Sequence, residues 1–246
     1  MSSNAVTVSR PYLSSSSERQ SAVVSRASDW AGFIVFAALA AWTLRRMPAV
    51  GVFLLPTIAH ELVSALAFLI RDGARATCRT LTAQLAAYGG TFLLFAFFQT
   101  VRLVRPEWLA PTNYPTMGAT GLLMWLCGSA VSLSALWALR YAMSIEPQAR
   151  RMVRSGPYSH VRHPVYLGYV LQYGGLLLMY PTLAFAIAVI AWLAITVARI
   201  RYEERVLASA FPEYREYRLS TGALLPVIRR RSGYPRQSGA AKVTIV

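Results

Sequence analysis

Apolar residues in this chain run in long blocks rather than alternating. Six blocks, roughly 29–45, 50–70, 81–101, 117–139, 164–180 and 182–200, carry few charges. A helix that crosses the hydrocarbon core needs about 20 apolar residues. The second, third and fourth blocks meet that length; the first and fifth fall slightly short. The pattern predicts an all-α, polytopic integral membrane helical bundle of about six transmembrane helices. The last two blocks are separated only by Tyr180 and Pro181. Proline cannot continue the preceding helix, so the spacing predicts a tight helical hairpin.

Charge between the blocks is uneven. Arg71, Arg75 and Arg79 follow the second block, and Arg140, Arg150, Arg151, Arg154 and Arg162 follow the fourth. Many more arginines follow Arg199. The alternate connections hold Arg45 and Arg46, then Arg102 and Arg105, then none. Basic loops stay in the cytoplasm, so six spans with both termini cytoplasmic fit the alternation. Residues 1–28 are Ser-rich and predict a disordered tail. Residues 29–139 hold the N-terminal transmembrane helices. Residues 140–228 hold most of the reactive side chains, and 229–246 form a flexible basic tail.

Composition agrees with a lipid-facing surface. Of 246 residues, 55% are hydrophobic and 14% charged, whereas a soluble domain carries about 25% charged residues. The net charge is +15, and Lys242 is the only lysine. A basic chain can bind nucleic acid or an anionic membrane surface. Here the arginines sit between apolar runs, so the bilayer is the expected partner and nucleic acid is not. Each basic residue near anionic lipid contributes roughly 1 kcal/mol of attraction. Cys78 and Cys127 form no CxxC or Cys/His cluster, so no metal site is expected.

Two blocks carry candidate chemistry. The first runs from Arg154 through Tyr158, His160, Arg162, His163, Pro164 and Tyr166 to Gly168. Gly156 and Pro157 make a turn. His163 then falls at a helix N-cap, with Pro164 at the first helical position. The free amides of such a helix start suit a carboxylate or phosphate. Tyr158, Tyr166 and Tyr169 can wall a pocket for a base or a sulfonium. The second block reads Arg199-Ile-Arg-Tyr-Glu203-Glu204-Arg205, followed by Phe211-Pro212-Glu213-Tyr214, Tyr217 and Pro226. Arg199 and Glu203, four apart, share one helical face. The hairpin returns that helix end beside His163. Singly, these features read as a solvated ion pair, a helix cap and an aromatic belt. Together, across one hairpin, they point to a site. His60 and Glu61 lie mid-way along the second block, where ionisable groups are costly; they make either an interhelical hydrogen bond or an acceptor contact.

In the order and spacing of these blocks the chain resembles the isoprenylcysteine carboxyl methyltransferase family, including its bacterial members, and more distantly the phospholipid methyltransferases. The family pattern is a Gly-Pro-Tyr turn, Arg-His-Pro-x-Tyr-x-Gly, a hairpin, Arg-x-x-x-Glu-Glu, then Phe-Gly-x-x-Tyr-x-x-Tyr and a proline. These stand here as Gly156–Tyr158, Arg162–Gly168, Arg199–Glu204, Phe211–Tyr217 and Pro226, within about 85 residues from near Arg140. Pro212 replaces the family's glycine and presets a helix start. The resemblance implies a membrane methyltransferase whose cytoplasmic-face pocket, formed by the C-terminal hairpin, holds S-adenosyl-L-methionine. It implies that Arg150, Arg151, Met152, Val153, Tyr158, His163, Pro164, Val165, Tyr166 and Glu203 bind this cofactor. It implies Arg199 as the catalytic residue, orienting the nucleophile of a lipophilic acceptor, a carboxylate such as that of an isoprenylcysteine. If the acceptor has to lose a proton, His163, His160 or Glu204 are candidate bases. The rivals are an NADPH-dependent sterol-reductase-like enzyme and a non-enzymatic membrane binding protein. The Glu203–Glu204 pair favours the methyltransferase, and no glycine-rich dinucleotide fingerprint is present.

Overall fold

The computed structural model describes residues 7–8, 15–50, 55–104 and 113–227. Six helices follow the apolar blocks: α1 (Ser15–Val50), α2 (Leu55–Ile70), α3 (Leu81–Val104), α4 (Pro115–Leu139), α5 (Pro164–Met179) and α6 (Leu183–Ala210). A short α7 (Tyr214–Ser220) follows. Part of the expected 1–28 tail is described: Thr7–Val8 form a strand, and α1 begins at Ser15. The basic tail 229–246 lies outside the described residues.

Local chemistry fixes several helix ends. Pro115 opens α4 and Pro164 opens α5, each at a position whose amide needs no helical partner. Thr182 caps α6, its hydroxyl accepting from the Phe185 amide at 3.3 Å. Among the described residues, three helices are long and apolar enough to cross a membrane, by length and composition: Leu81–Phe98 within α3, Pro115–Leu139 and Leu183–Ala210. α2 is a shorter apolar helix of 16 residues. Large apolar side chains such as Leu85, Leu123, Ile187 and Ile190 point outward and are exposed, as a lipid-facing surface requires.

The hairpin differs from a tightly packed pair. Its connection is short, but α5 lies along α4 while α6 lies along α3. Between α5 and α6 the contact is made by large side chains, with the Tyr173 and Trp192 rings 4.7 Å apart. Glycines decide this choice of partner. Gly121 and Gly128 on α4 face Gly175 and Gly168 on α5, and a Cβ built on any of the four would meet backbone atoms of the other helix. Close backbone approach through small residues is the usual source of helix affinity in lipid. With α5 held on α4 and α6 on α3, a space is left between them.

A three-stranded antiparallel sheet, β1 (Thr7–Val8), β2 (Ala76–Thr77) and β3 (Gln148–Ala149), ties the basic connections together. The Arg75 amide donates to the Ala149 carbonyl at 2.7 Å, and that of Cys78 to Pro147 at 3.0 Å. The loop after α2 and the loop after α4 therefore share one side of the bundle, where the polar end of α6 also packs on β2 and β3.

Candidate active site

The chain enters α5 through a turn that needs glycine. Gly156 sits at φ +61°, where L side chains are strained. Tyr158 follows in a single 3-10 turn (Gly156–Ser159) and is buried. Burial, then the nearby Glu203 charge, pushes its phenol well above the ordinary range, so it stays protonated. The Tyr217 hydroxyl donates to the Tyr158 carbonyl at 2.5 Å, and burial pushes that phenol up to about 12. Residues 221–223 then strap the helix start: Val161 pairs with Gly222, the Arg162 amide donates to Gly222 (2.8 Å), and that of His163 to Ala223 (3.0 Å).

Arg162 locks this strap to α6. Its guanidinium donates to Glu204 from Nε at 2.8 Å and from Nη2 at 2.7 Å. Nη1 donates to the Arg218 carbonyl at 3.0 Å and to the Thr221 carbonyl. Both side chains of the pair are nearly buried, at 10% and 12% exposure, so removing Arg162 leaves a buried Glu204 to its longer contacts with His163 at 3.3 Å and Arg218 at 3.7 Å. Arg162→Gln is expected to lower stability by about 3 kcal/mol and to speed tryptic cleavage at Arg218. Unchanged melting and cleavage would show that the strap holds without it.

Above the strap, one carboxylate gathers three side chains from α5, its N-cap and α6. Glu203 Oε1 accepts from the Tyr166 hydroxyl at 2.5 Å and from Arg199 Nε at 3.0 Å. Glu203 Oε2 has a longer contact, 3.8 Å, with His163 Nδ1. His163 stacks on Tyr166 at 5.7 Å and reaches Glu204 Oε1 with Nε2 at 3.3 Å. Arg199 is buried and nearly saturated. Nη1 donates to the Ala87 carbonyl (3.1 Å) and to Thr91 (2.8 Å), and Nη2 to the Ile145 carbonyl (2.9 Å). A guanidinium has five N–H groups; four are used, so one on Nη2 remains.

These groups border a cavity of about 420 Å³. Of the residues singled out in the sequence, Arg151, Met152, Val153, Tyr158, His163, Val165, Tyr166, Arg199 and Glu203 line it. The structure does not bring Arg150 and Pro164 to its wall. Arg150 turns the other way, donating to the Asp72 carbonyl and to Gln148 Oε1 (2.7 Å). Burial, then the neighbouring Arg71, pulls its guanidinium down to about 10. It braces the loop after α4 against the end of α2. Pro164 is packed inside as the first residue of α5. Other wall residues were not singled out: Thr91, Ile145, Glu146, Gln172 and Tyr173. Glu146 was discoverable as one of only ten acidic residues, beside a proline in a basic loop. The apolar end of the cavity runs into the bundle past Phe36, Phe95, Phe98, Trp125 and Leu176 to His60 and Glu61.

Residues 116–214 match the phospholipid methyltransferase family model. The matched stretch covers α4, α5 and α6 and includes every member of the Arg199–Glu203–Tyr166–His163 cluster. The phospholipid methyltransferase match indicates a membrane methyltransferase in general. The chain is also similar to the cobalt-zinc-cadmium resistance protein CzcN of Cupriavidus metallidurans, 37% identical over 120 residues, which are 48% of this chain and 51% of that protein. It is similar to the nickel-cobalt-cadmium resistance protein NccN of Alcaligenes xylosoxydans xylosoxydans, 30% identical over 112 residues, 45% of this chain and 49% of that protein. The chain spans about half the length of the curated relatives it matches. Among the described residues, no group of three or more His, Cys, Asp or Glu side chains could hold a metal ion.

Proposed function

We propose that this chain uses S-adenosylmethionine to methylate a lipophilic acceptor, at a carboxylate of the isoprenylcysteine type. One observation carries the reading. A single cavity joins a polar cluster at the basic side of the bundle to an aromatic interior. A hydrophilic methyl donor and a lipophilic acceptor need such a meeting place.

The residues present fit that donor. Glu203 lines the cavity, and its Oε2 lies 3.8 Å from His163 Nδ1; in this reading it accepts from an ammonium group or ribose hydroxyls. Tyr158 and the stacked His163–Tyr166 pair offer flat faces for a base. Arg151, Met152 and Val153 form the adjoining wall. Bound there, S-adenosylmethionine supplies a methyl group already activated on sulfur.

The protein then has to align and to exclude water. A carboxylate brings its own lone pair, so no side chain has to take a proton. The remaining Nη2 N–H of Arg199 can hold the acceptor oxygen. Its other donors are fixed by Glu203, Ala87, Thr91 and Ile145, so it is oriented in advance. Alignment of this kind supplies about 7–11 kcal/mol in favourable cases. Because charge is neutralised during the transfer, an apolar wall favours it. In this reading α1 to α6 each cross the bilayer, and the basic loops joined by β2 and β3 put the polar end of the cavity at the cytoplasm.

Calorimetry on the purified protein tests the reading. S-adenosylmethionine and S-adenosylhomocysteine should both bind, and NADPH should give no heat of binding. Binding of NADPH alone would sink the methyltransferase in favour of a reductase.

A further inference from the structure

The apolar end of the cavity holds two ionisable side chains that the proposed transfer does not use. His60 and Glu61 are neighbours on α2, and both line the cavity. His60 is fully engaged. Its Nδ1 donates to the Pro56 carbonyl at 2.6 Å, so Nε2, 2.6 Å from Ser132 Oγ, accepts. Gln172 donates to the same hydroxyl at 2.7 Å. This chain of bonds ties α2 to α4 and α5 and fixes the α2 backbone beside Glu61.

Glu61 is only half satisfied. The residue is 8% exposed. Oε1 accepts from Thr43 at 3.0 Å. Oε2 is buried and has no hydrogen-bond partner among the described residues. A buried carboxylate oxygen without a partner is costly, more so inside a bilayer, and such groups mark ligand paths. The cationic side chains of the cavity wall, among the described residues, are Arg151 and Arg199. Arg151 pairs with Asp72 and Arg199 with Glu203, so neither serves Glu61.

We infer that Glu61 Oε2 is a second polar anchor for the acceptor, receiving an N–H or O–H donor on its lipophilic body while the methyl-accepting group lies at Arg199. The inference rests on the reading of this cavity as the acceptor's site. It narrows the substrate class to lipophilic molecules that carry a donor, such as a secondary amide, besides the group that is methylated. An acceptor lacking that donor leaves Oε2 unpaired and binds less well.

Two probes that differ by one methyl group test this: S-dodecyl-N-acetylcysteine, which has an amide N–H, and its N-methyl analogue, which has none. Their affinities are measured by calorimetry with S-adenosylhomocysteine present. Wild type should bind the N–H probe at least about ten-fold more tightly. Glu61→Gln, which sets an amide NH₂ where Oε2 stood, should bring the two affinities within about two-fold. Its affinity for S-adenosylhomocysteine, unchanged, reports an intact fold. If Glu61→Gln fails that control, Glu61→Met carries the same comparison. Equal affinities in wild type, no binding of the N–H probe, or discrimination that survives the substitution would each overturn the inference. If wild type does not bind S-adenosylhomocysteine, the methyltransferase reading falls first and this one with it.

Discussion

Glu203→Ala should raise the Kd for S-adenosylhomocysteine by about 100-fold or more, while Arg199→Ala keeps that binding and loses turnover. The two residues touch each other, so the contrast comes from what else each holds. Glu203 lines the cavity, with Oε2 in a long 3.8 Å contact to His163. A hydrogen bond to a charged group is worth about 1.5–3 kcal/mol, and a carboxylate oxygen can take two from the bound amino acid or ribose. In the proposed reading Arg199 offers the acceptor one N–H, and its other donors hold α3 and the loop at Ile145. Both substitutions also break a largely buried pair, so each lowers stability, by about 3 kcal/mol. Melting curves in detergent must therefore accompany the binding data. Glu203→Gln keeps the shape and an acceptor for Tyr166, melts closer to wild type, and still loses the charge that an ammonium needs. Calorimetry and a methyl-transfer assay separate the two roles. Wild-type affinity in Glu203→Ala would remove the donor from this part of the cavity.

Much of this arrangement was readable in the chain. Apolar blocks of about 20 residues have few alternatives to membrane helices, and α2 to α5 begin and end within a few residues of theirs. The turn at Tyr180 and Pro181 makes α5 and α6 antiparallel, which brings His163 and Glu203 together across 40 positions. α6 runs on to Ala210, beyond the apolar block, because Arg201 to Ser209 are mostly good helix formers and Phe211-Pro212 then ends it. Other features were not readable. The partner of α5 is α4, and the glycines that decide it are visible in the sequence, but which glycine meets which is not. Arg150 and Arg151 are identical neighbours. Both reach Asp72, but beside the two-residue β2–β3 ladder Arg150 donates to its backbone carbonyl and to Gln148, whereas Arg151 pairs with its carboxylate and lies on the cavity wall. Such a ladder is too short to leave a period in the sequence. The Thr43–Glu61 bond joins separate helices, and no spacing announces it.

The α4–α5 seam is where a single added side chain should do the most damage to the fold. A Cβ at Gly128 would lie 2.5 Å from the Gly168 carbonyl oxygen and 2.7 Å from the Gln172 amide nitrogen. A Cβ at Gly168 would lie 2.6 Å from Ser132 Cβ and 2.7 Å from the Gly128 carbonyl. These neighbours are mostly backbone, so no rotamer change relieves the clash and the helices must move apart. Gly128→Val and Gly168→Val should each cost about 3 kcal/mol, the upper part of the usual range for overpacking. Function should fall further than stability. Displacing α5 carries Tyr166 away from Glu203, whose bond to it is 2.5 Å long, and opens the Gln172–Ser132–His60 chain. S-adenosylhomocysteine binding should therefore weaken by about ten-fold even in molecules that remain folded. Gly174→Ala is the control on the same helix. Its Cβ would meet only Met124 Cε at 3.4 Å, an ordinary contact with a flexible side chain, so melting and binding should stay at wild-type values. If Gly128→Val melts and binds like Gly174→Ala, the close seam is not what holds α5 on α4, and the separation of α5 from α6 that opens the cavity needs another cause.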